Sequence, residues 1–141
     1  NYPTELLDIL LFMKKLFLIV AMALITSFAS AQITFEQFNQ INFKVTPQQL
    51  TEQLLSKGFV QNNSGVITGQ INNIDVEISF TLSENGVINQ MQVTELQALE
   101  VENFNQRVRE VVGMIDESGK DINLQKDSPQ PGKARVILIY R

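Results

Sequence analysis

The sequence predicts an α+β domain, an antiparallel β-sheet with two helices packed on one of its faces. Three observations lead there. The stretch Ile74–Leu82, IDVEISFTL, alternates apolar residues (Ile74, Val76, Ile78, Phe80, Leu82) with polar ones (Asp75, Glu77, Ser79, Thr81). Successive strand side chains point to opposite faces, so this is a strand with one buried and one wet side. Tight turns flank it at Asn72-Asn73 and Asn85-Gly86, built from residues that tolerate the positive φ a hairpin demands. Helical periodicity then appears on either side of the strands, over residues 46–57 and 96–115.

A length of 141 residues fits one domain. The first part of the chain is expected to lie outside it. Met13-Lys14-Lys15 is a short positive region, residues 16–25 (LFLIVAMALI) are apolar, and Ala29 and Ala31 stand where a signal peptidase reads small residues. Residues 13–31 are therefore read as a signal peptide. A membrane-spanning helix needs about 20 apolar residues, roughly twice this run. Residues 1–12 carry Glu5 and Asp8, which suit no leader, and are set aside as a gene-start artefact. The domain is expected to span residues 32–141, exported to the periplasm or the medium, with no membrane anchor after cleavage.

The charges lost with those segments cancel, Lys14 and Lys15 against Glu5 and Asp8, so the net charge stays at −4. That argues against a nucleic-acid partner, which needs a basic face. The chain has no Cys and no His. A lipid anchor at the cleavage point and disulfides are excluded, and stability must come from the core. The usual catalytic bases, nucleophiles and zinc ligands are missing too.

In chain order, residues 32–45 hold the apolar Phe35, Phe38, Ile41, Phe43 and Val45. The last three alternate as a short strand would, while Phe35 and Phe38 fit either a helical turn or a lid. Helix 46–57 has Thr46 as N-cap, Pro47 at the first helical position and Gln49 completing a capping box. Leu50, Leu54 and Leu55 form its stripe, and Gly58 stops it. Residues 59–62 and 66–71 are short strands joined by Asn63-Ser64-Gly65. The Asn72-Asn73 turn sets Ile71 opposite Ile74, Gly69 opposite Val76 and Ile67 opposite Ile78. The Asn85-Gly86 turn sets Phe80 opposite Met91 and Ile78 opposite Val93. The outer face then carries Thr68, Gln70, Asp75, Glu77, Ser79, Thr81, Gln90, Gln92 and Thr94 and is polar. In helix 96–115, Val101, Phe104, Val108, Val111, Val112 and Ile115 recur at helical spacing. Residues 121–125 are read as a strand and residues 128–132 (SPQPG) as a loop. The final strand, residues 134–140, is apolar on both faces and is expected to be central or covered twice, with residues 35–43 as the second cover.

The run from Pro47 to Phe80, a leucine helix ending in Lys57-Gly58-Phe59, a strand with Gly69 near its middle and a hairpin into an alternating strand, resembles a group of short exported proteins of Gram-negative bacteria whose function is not known. The resemblance extends over residues 38–115. It implies an α+β fold and export, and no catalytic residue; where members of the group often have Gly in the hairpin, this chain has Asn72-Asn73.

Few residues are candidates for chemistry. Asp75 and Glu77, two apart on one strand, lie roughly 6.5–7 Å apart, within the range of acid/base pairs, yet nothing near them in sequence builds a pocket. Asp116, Glu117 and Asp121 lack the ligand spacing of a calcium loop. Asn62-Asn63-Ser64 matches a glycosylation sequon but is also good turn sequence. Ser64 and Ser128 have no His to activate them, and Gly65 and Gly69 precede no helix. The expectation is a non-catalytic binding or interaction module with no cofactor, no metal and no catalytic residue. Its partner is a protein or small molecule, contacted through the polar sheet face or an edge strand. The alternatives are an accessory subunit of an envelope assembly that docks through residues 35–43 and, last, a carboxylate-dependent enzyme.

Overall fold

The computed structural model describes residues 32–141; the signal-peptide reading and the upstream extension fall on residues outside the described residues. The elements are β1 (Gln32–Ile33), α1 (Phe35–Phe38), α2 (Pro47–Ser56), β2 (Val60–Gln61), β3 (Ile67–Ile71), β4 (Ile74–Leu82), β5 (Ile88–Glu95), β6 (Leu99–Glu100), α3 (Val101–Ser118), β7 (Ile122–Gln130) and β8 (Lys133–Tyr140). All eight strands form one sheet, antiparallel except for β1 against β3.

Two turns set the register. Asn72 and Asn73 both have positive φ, 50° and 66°, as a two-residue type I′ hairpin requires. The expected pairs Ile71–Ile74, Gly69–Val76 and Ile67–Ile78 all form. The second turn differs in detail. Only Gly86 is left-handed, its N–H bonds to the Ser83 carbonyl, and the register slips by one residue between Thr81 and Leu82. The slip matters because it turns Ile88 inward, where it is buried, while Phe80–Met91 and Ile78–Val93 pair as the sequence predicts.

Carried across the sheet, these registers make continuous rows. Ile78, Val93, Leu138 and Leu124 stand side by side on the inner face, as do Phe80, Met91, Tyr140 and Ile122. Helices α2 and α3 cover this face through Leu50, Leu54, Phe104 and Val111, all in one core with the strand residues. Both helices therefore pack on one side, as the sequence predicts. Thr46 and Gln49 form the expected capping box on α2, and Gly58 ends it with a φ of 95°. Leu55, expected in the stripe, is exposed.

Four further expectations are corrected, and one open alternative is decided. The long helix starts at Val101; residues 99–100 instead extend the sheet as β6, pairing Leu99 with Ala134. Ile41, Phe43 and Val45 make no strand, because their backbone wraps the end of the core and Val45 accepts a bond from the Ile88 N–H. Phe35 and Phe38 sit on the helical turn α1, capped by Thr34 and Gln37. The segment does not cover the second face of β8. Phe38 and Phe43 meet Tyr140 edge-on, at centroid distances of 5.6 and 6.1 Å, on the helix side. Residues 128–130 are strand rather than loop: β7 is an edge, where a proline removes no ladder bond, and the register shifts between Asp127 and Gln130 to accommodate Pro129.

Strand β8 is central, as its two apolar faces predict, lying between β5 and β7. Its outward residues Ile137 and Ile139 are flanked in register by Thr94 and Gln125 and by Gln92 and Asn123. No helix of the described residues is long and apolar enough to cross a membrane.

Candidate functional site

Three chain segments converge at one end of the helix-covered face, and they converge on Asn72. The left-handed turn that needs this asparagine also presents its side chain. Its backbone N–H donates to the Ile33 carbonyl at 2.9 Å, its Oδ1 accepts from the Phe35 N–H at 3.0 Å, and its Nδ2 lies 3.4 Å from Met114 Sδ. One residue thus ties β1, α1 and α3 to the hairpin.

Above this junction lies a cleft of about 580 Å³. Thr34, Phe35 and Glu36 of the α1 end, Asn39 and Gln40 after it, and Met114, Glu117, Ser118 and Lys120 at the far end of α3 line it with Asn72. That volume lies within the range of small-molecule sites. The lining mixes amides, hydroxyls and charges of both signs around Phe35 and Met114. Asn39 is held from far away in sequence: its Oδ1 accepts from the Tyr140 hydroxyl at 2.7 Å. Burial pushes the Tyr140 phenol above its ordinary pKa, so it remains a donor. The other end of that amide, Nδ2, is buried and has no hydrogen-bond partner among the described residues. A buried donor without an acceptor costs about 1–3 kcal/mol.

Phe35, Asn72 and Met114 also form one wall of a smaller cavity of about 20 Å³ beneath the cleft, lined on its far side by Glu95 and Arg107. Glu95 is the one buried charged residue among the described residues, 5 % exposed. It sits where β5 leaves its pairing with β8, on the inner face. Arg107 reaches it from α3, with both Nε and Nη2 2.8 Å from Oε1, and extends Nη1 to Glu110 at 3.3 Å. Burial pushes the Glu95 carboxyl above its ordinary pKa; the Arg107 charge and hydrogen bond pull it back, and Glu110 adds to the rise.

The sequence candidates do not gather here, apart from Glu117. Asp75 is exposed on the outer face, where Gln70 Nε2 donates to it at 2.9 Å, and Glu77 stands opposite Thr94 on the same face. Asp116, Glu117 and Asp121 are exposed around the end of α3; among the described residues no group of three or more carboxylates could hold a metal ion. Asn62 uses its Oδ1 to accept the Ser64 and Val66 N–H groups, both at 2.9 Å, closing the turn. Ser128 is exposed on β7. Gly65 is a left-handed turn residue, and Gly69 is a point of close approach under Phe59.

Asn39, Asn72, Glu95 and Arg107 were not among the candidates, although two signals pointed to the pair. Glu95 continues the inward series Met91, Val93, and Arg107 falls among Phe104, Val108 and Val111 on the helix. Asn39 offered no signal, because its partner lies 101 residues away.

The fold and cleft define a small α+β protein with one sheet and one helical layer. Compared with protein-family models, with curated proteins and with solved structures, the chain matches none.

Proposed function

We propose that the protein is a non-catalytic binding module, exported from the cell, that takes a small ligand in the cleft between α1 and the end of α3. The observation that carries this reading is the cleft itself: about 580 Å³, floored by Phe35 and Met114 and ringed by amides and hydroxyls. Its one serine is already committed, with Ser118 Oγ donating to the Ile115 carbonyl and accepting the Lys120 N–H. Its side chains are suited to holding a ligand by hydrogen bonds and contact. Export rests on the sequence pattern of residues 13–31 and on the resemblance to short exported proteins. The alternative, an envelope subunit docking through residues 35–43, would use the exposed Glu36, Gln40 and Asn42 of that segment, since Phe35, Phe38 and Ile41 are buried in the core.

A ligand-observed NMR screen of small polar and aromatic fragments against the full chain tests the site. Glu117 is exposed on the rim, so Glu117→Trp fills the cleft without touching the core. Fragments that bind the wild-type chain should lose at least about tenfold in affinity for the variant. No binding at all, or equal binding to both, refutes the reading. For export, the natural protein should begin at Gln32, and a mature form retaining Lys14 and Lys15 refutes it.

A further inference from the structure

The sheet has one long edge that nothing among the described residues covers. β1 and β2 both line the outside of β3, whereas β7 pairs with β8 and has no neighbour beyond it. An open edge presents a row of unpaired N–H and C=O groups, a template for another strand. From Ile122 to Asp127 the pairing with β8 is regular, and it shifts only around Pro129. The stretch of β7 able to take a second strand therefore runs from Ile122 to Ser128, ahead of the proline that cannot donate.

Helix α3 overlooks the same edge with an apolar flank. At 3.6 residues per turn, Phe104 and Val111 point at the sheet and are buried. Arg107 and Met114 lie to one side, toward Glu95 of β5 and Asn72. Val101 and Val112 fall on the opposite side, with Val108 beside them, and are 50 % and 43 % exposed. β7 lies across β8 from β5, and its Lys126 Nζ sits 5.8 Å from the centroid of the Phe104 ring. Free backbone and exposed valines therefore open to one side of the molecule.

We infer that this side is an interface between two copies of this chain, with β7 pairing antiparallel to β7 of the second copy and the valine flanks of the two α3 helices meeting over it. The strand is self-complementary. A two-fold axis normal to the sheet keeps both helical layers on one face, so directly opposed residues must share a face and hence parity. An axis through Gln125 meets this condition and uses the whole available stretch. Gln125 then opposes itself, Leu124 opposes Lys126, Asn123 opposes Asp127, and Ile122 opposes Ser128, with no like charges face to face. An axis through Lys126 would oppose two lysines, and one through Leu124 would shorten the paired stretch. A ladder of one short strand from each copy is small for a stable interface, and the exposed Val101 and Val112 add apolar contact to it. The dimer is accordingly a weak, reversible one.

Sedimentation velocity on the full chain, from about 10 µM to 1 mM, should show the weight-average mass climbing toward twice the monomer. Gln125 is exposed, so charge there leaves folding intact. Gln125→Lys and Gln125→Glu should each weaken the dimer at least tenfold by opposing like charges across the axis, and an equimolar mixture of the two should restore it. Val112→Glu should weaken it as well. A chain that stays monomeric throughout, or a dimer indifferent to all three substitutions, overturns the inference.

Discussion

Replacing Gly69 by alanine tests the packing logic of the whole inner face. Gly69 has no positive φ that alanine would resist, and by strand propensity alone the change should stabilise by about 0.5–1 kcal/mol. The tertiary structure reverses that sign. A Cβ at position 69 would lie 2.6 Å from Cε1 and 2.7 Å from Cγ of Phe59, so the ring must retreat by about 1 Å to regain ordinary contact. Phe59 is buried and its ring packs against Phe38 at a centroid distance of 6.1 Å, which leaves it little room. Overpacking of this kind costs about 1–3 kcal/mol; less the propensity gain, Gly69→Ala should lose about 1–2 kcal/mol, or roughly 4–8 °C in Tm. Phe59→Ala alone should cost about 3–5 kcal/mol. With the ring gone, the Gly69→Ala step should become neutral or stabilising, a coupling of about 2 kcal/mol in the double-mutant cycle. Urea unfolding followed by circular dichroism measures all four proteins. Additive effects, or a Gly69→Ala protein as stable as wild type, would show that Phe59 does not rest on the glycine.

Other outcomes follow from the same geometry. Leu54→Ala, in a fully buried position, should cost about 3 kcal/mol in the same assay. Arg107→Ala should cost about 3 kcal/mol by stranding the buried Glu95 carboxylate; this is the low end for broken buried pairs, because the Arg107 side chain is 16 % exposed. Because the folded-state pKa of Glu95 is raised above 4.5, the stability tied to its proton is fully present below 4.5 and is lost as pH rises through the raised value. Wild type should therefore gain on Glu95→Gln as pH falls from 7 to 4; a gap that moves the other way refutes the assignment of burial as the dominant cause. Asn72→Ala, at a φ of 50° and deprived of its bond to the Phe35 N–H, should lose about 2 kcal/mol, with Asn72→Gly losing less. Changing Asp75 and Glu77 together to Asn and Gln should stay within about 0.5 kcal/mol, as expected of surface positions.

The hairpin core was legible because its information is local. The Asn72-Asn73 turn and the alternation of Ile74–Leu82 fix which side chains share a face, and the β3–β4–β5 register follows by counting up to Thr81, beyond which it slips by one residue. The capping box on α2 was equally plain, and an identical one at Thr34 and Gln37 was there to be read. Pro129 misled because proline bars a central strand and not an edge, and only the tertiary arrangement makes β7 an edge. The apolar stripe of α3 begins only at Val101, and a start at residue 96 is too early because the β8 edge that captures Leu99 and Glu100 is distant in sequence. The cleft was invisible for a related reason: Asn39, Asn72 and Met114 are unremarkable singly, and only folding brings them together.

The sequence by itself determined the class of fold, the register of three strands, the ends of α2 and the polar character of the outer face. Each of these depends on side-chain periodicity or on a turn of a few residues, where the governing forces act between near neighbours. Only the tertiary structure decided that residues 35–43 pack onto Tyr140 beside the helices, that Glu95 is buried against Arg107, and that a cleft opens over Asn72. Those outcomes turn on contacts between segments far apart in the chain, whose energies exist only once the sheet has brought them within reach.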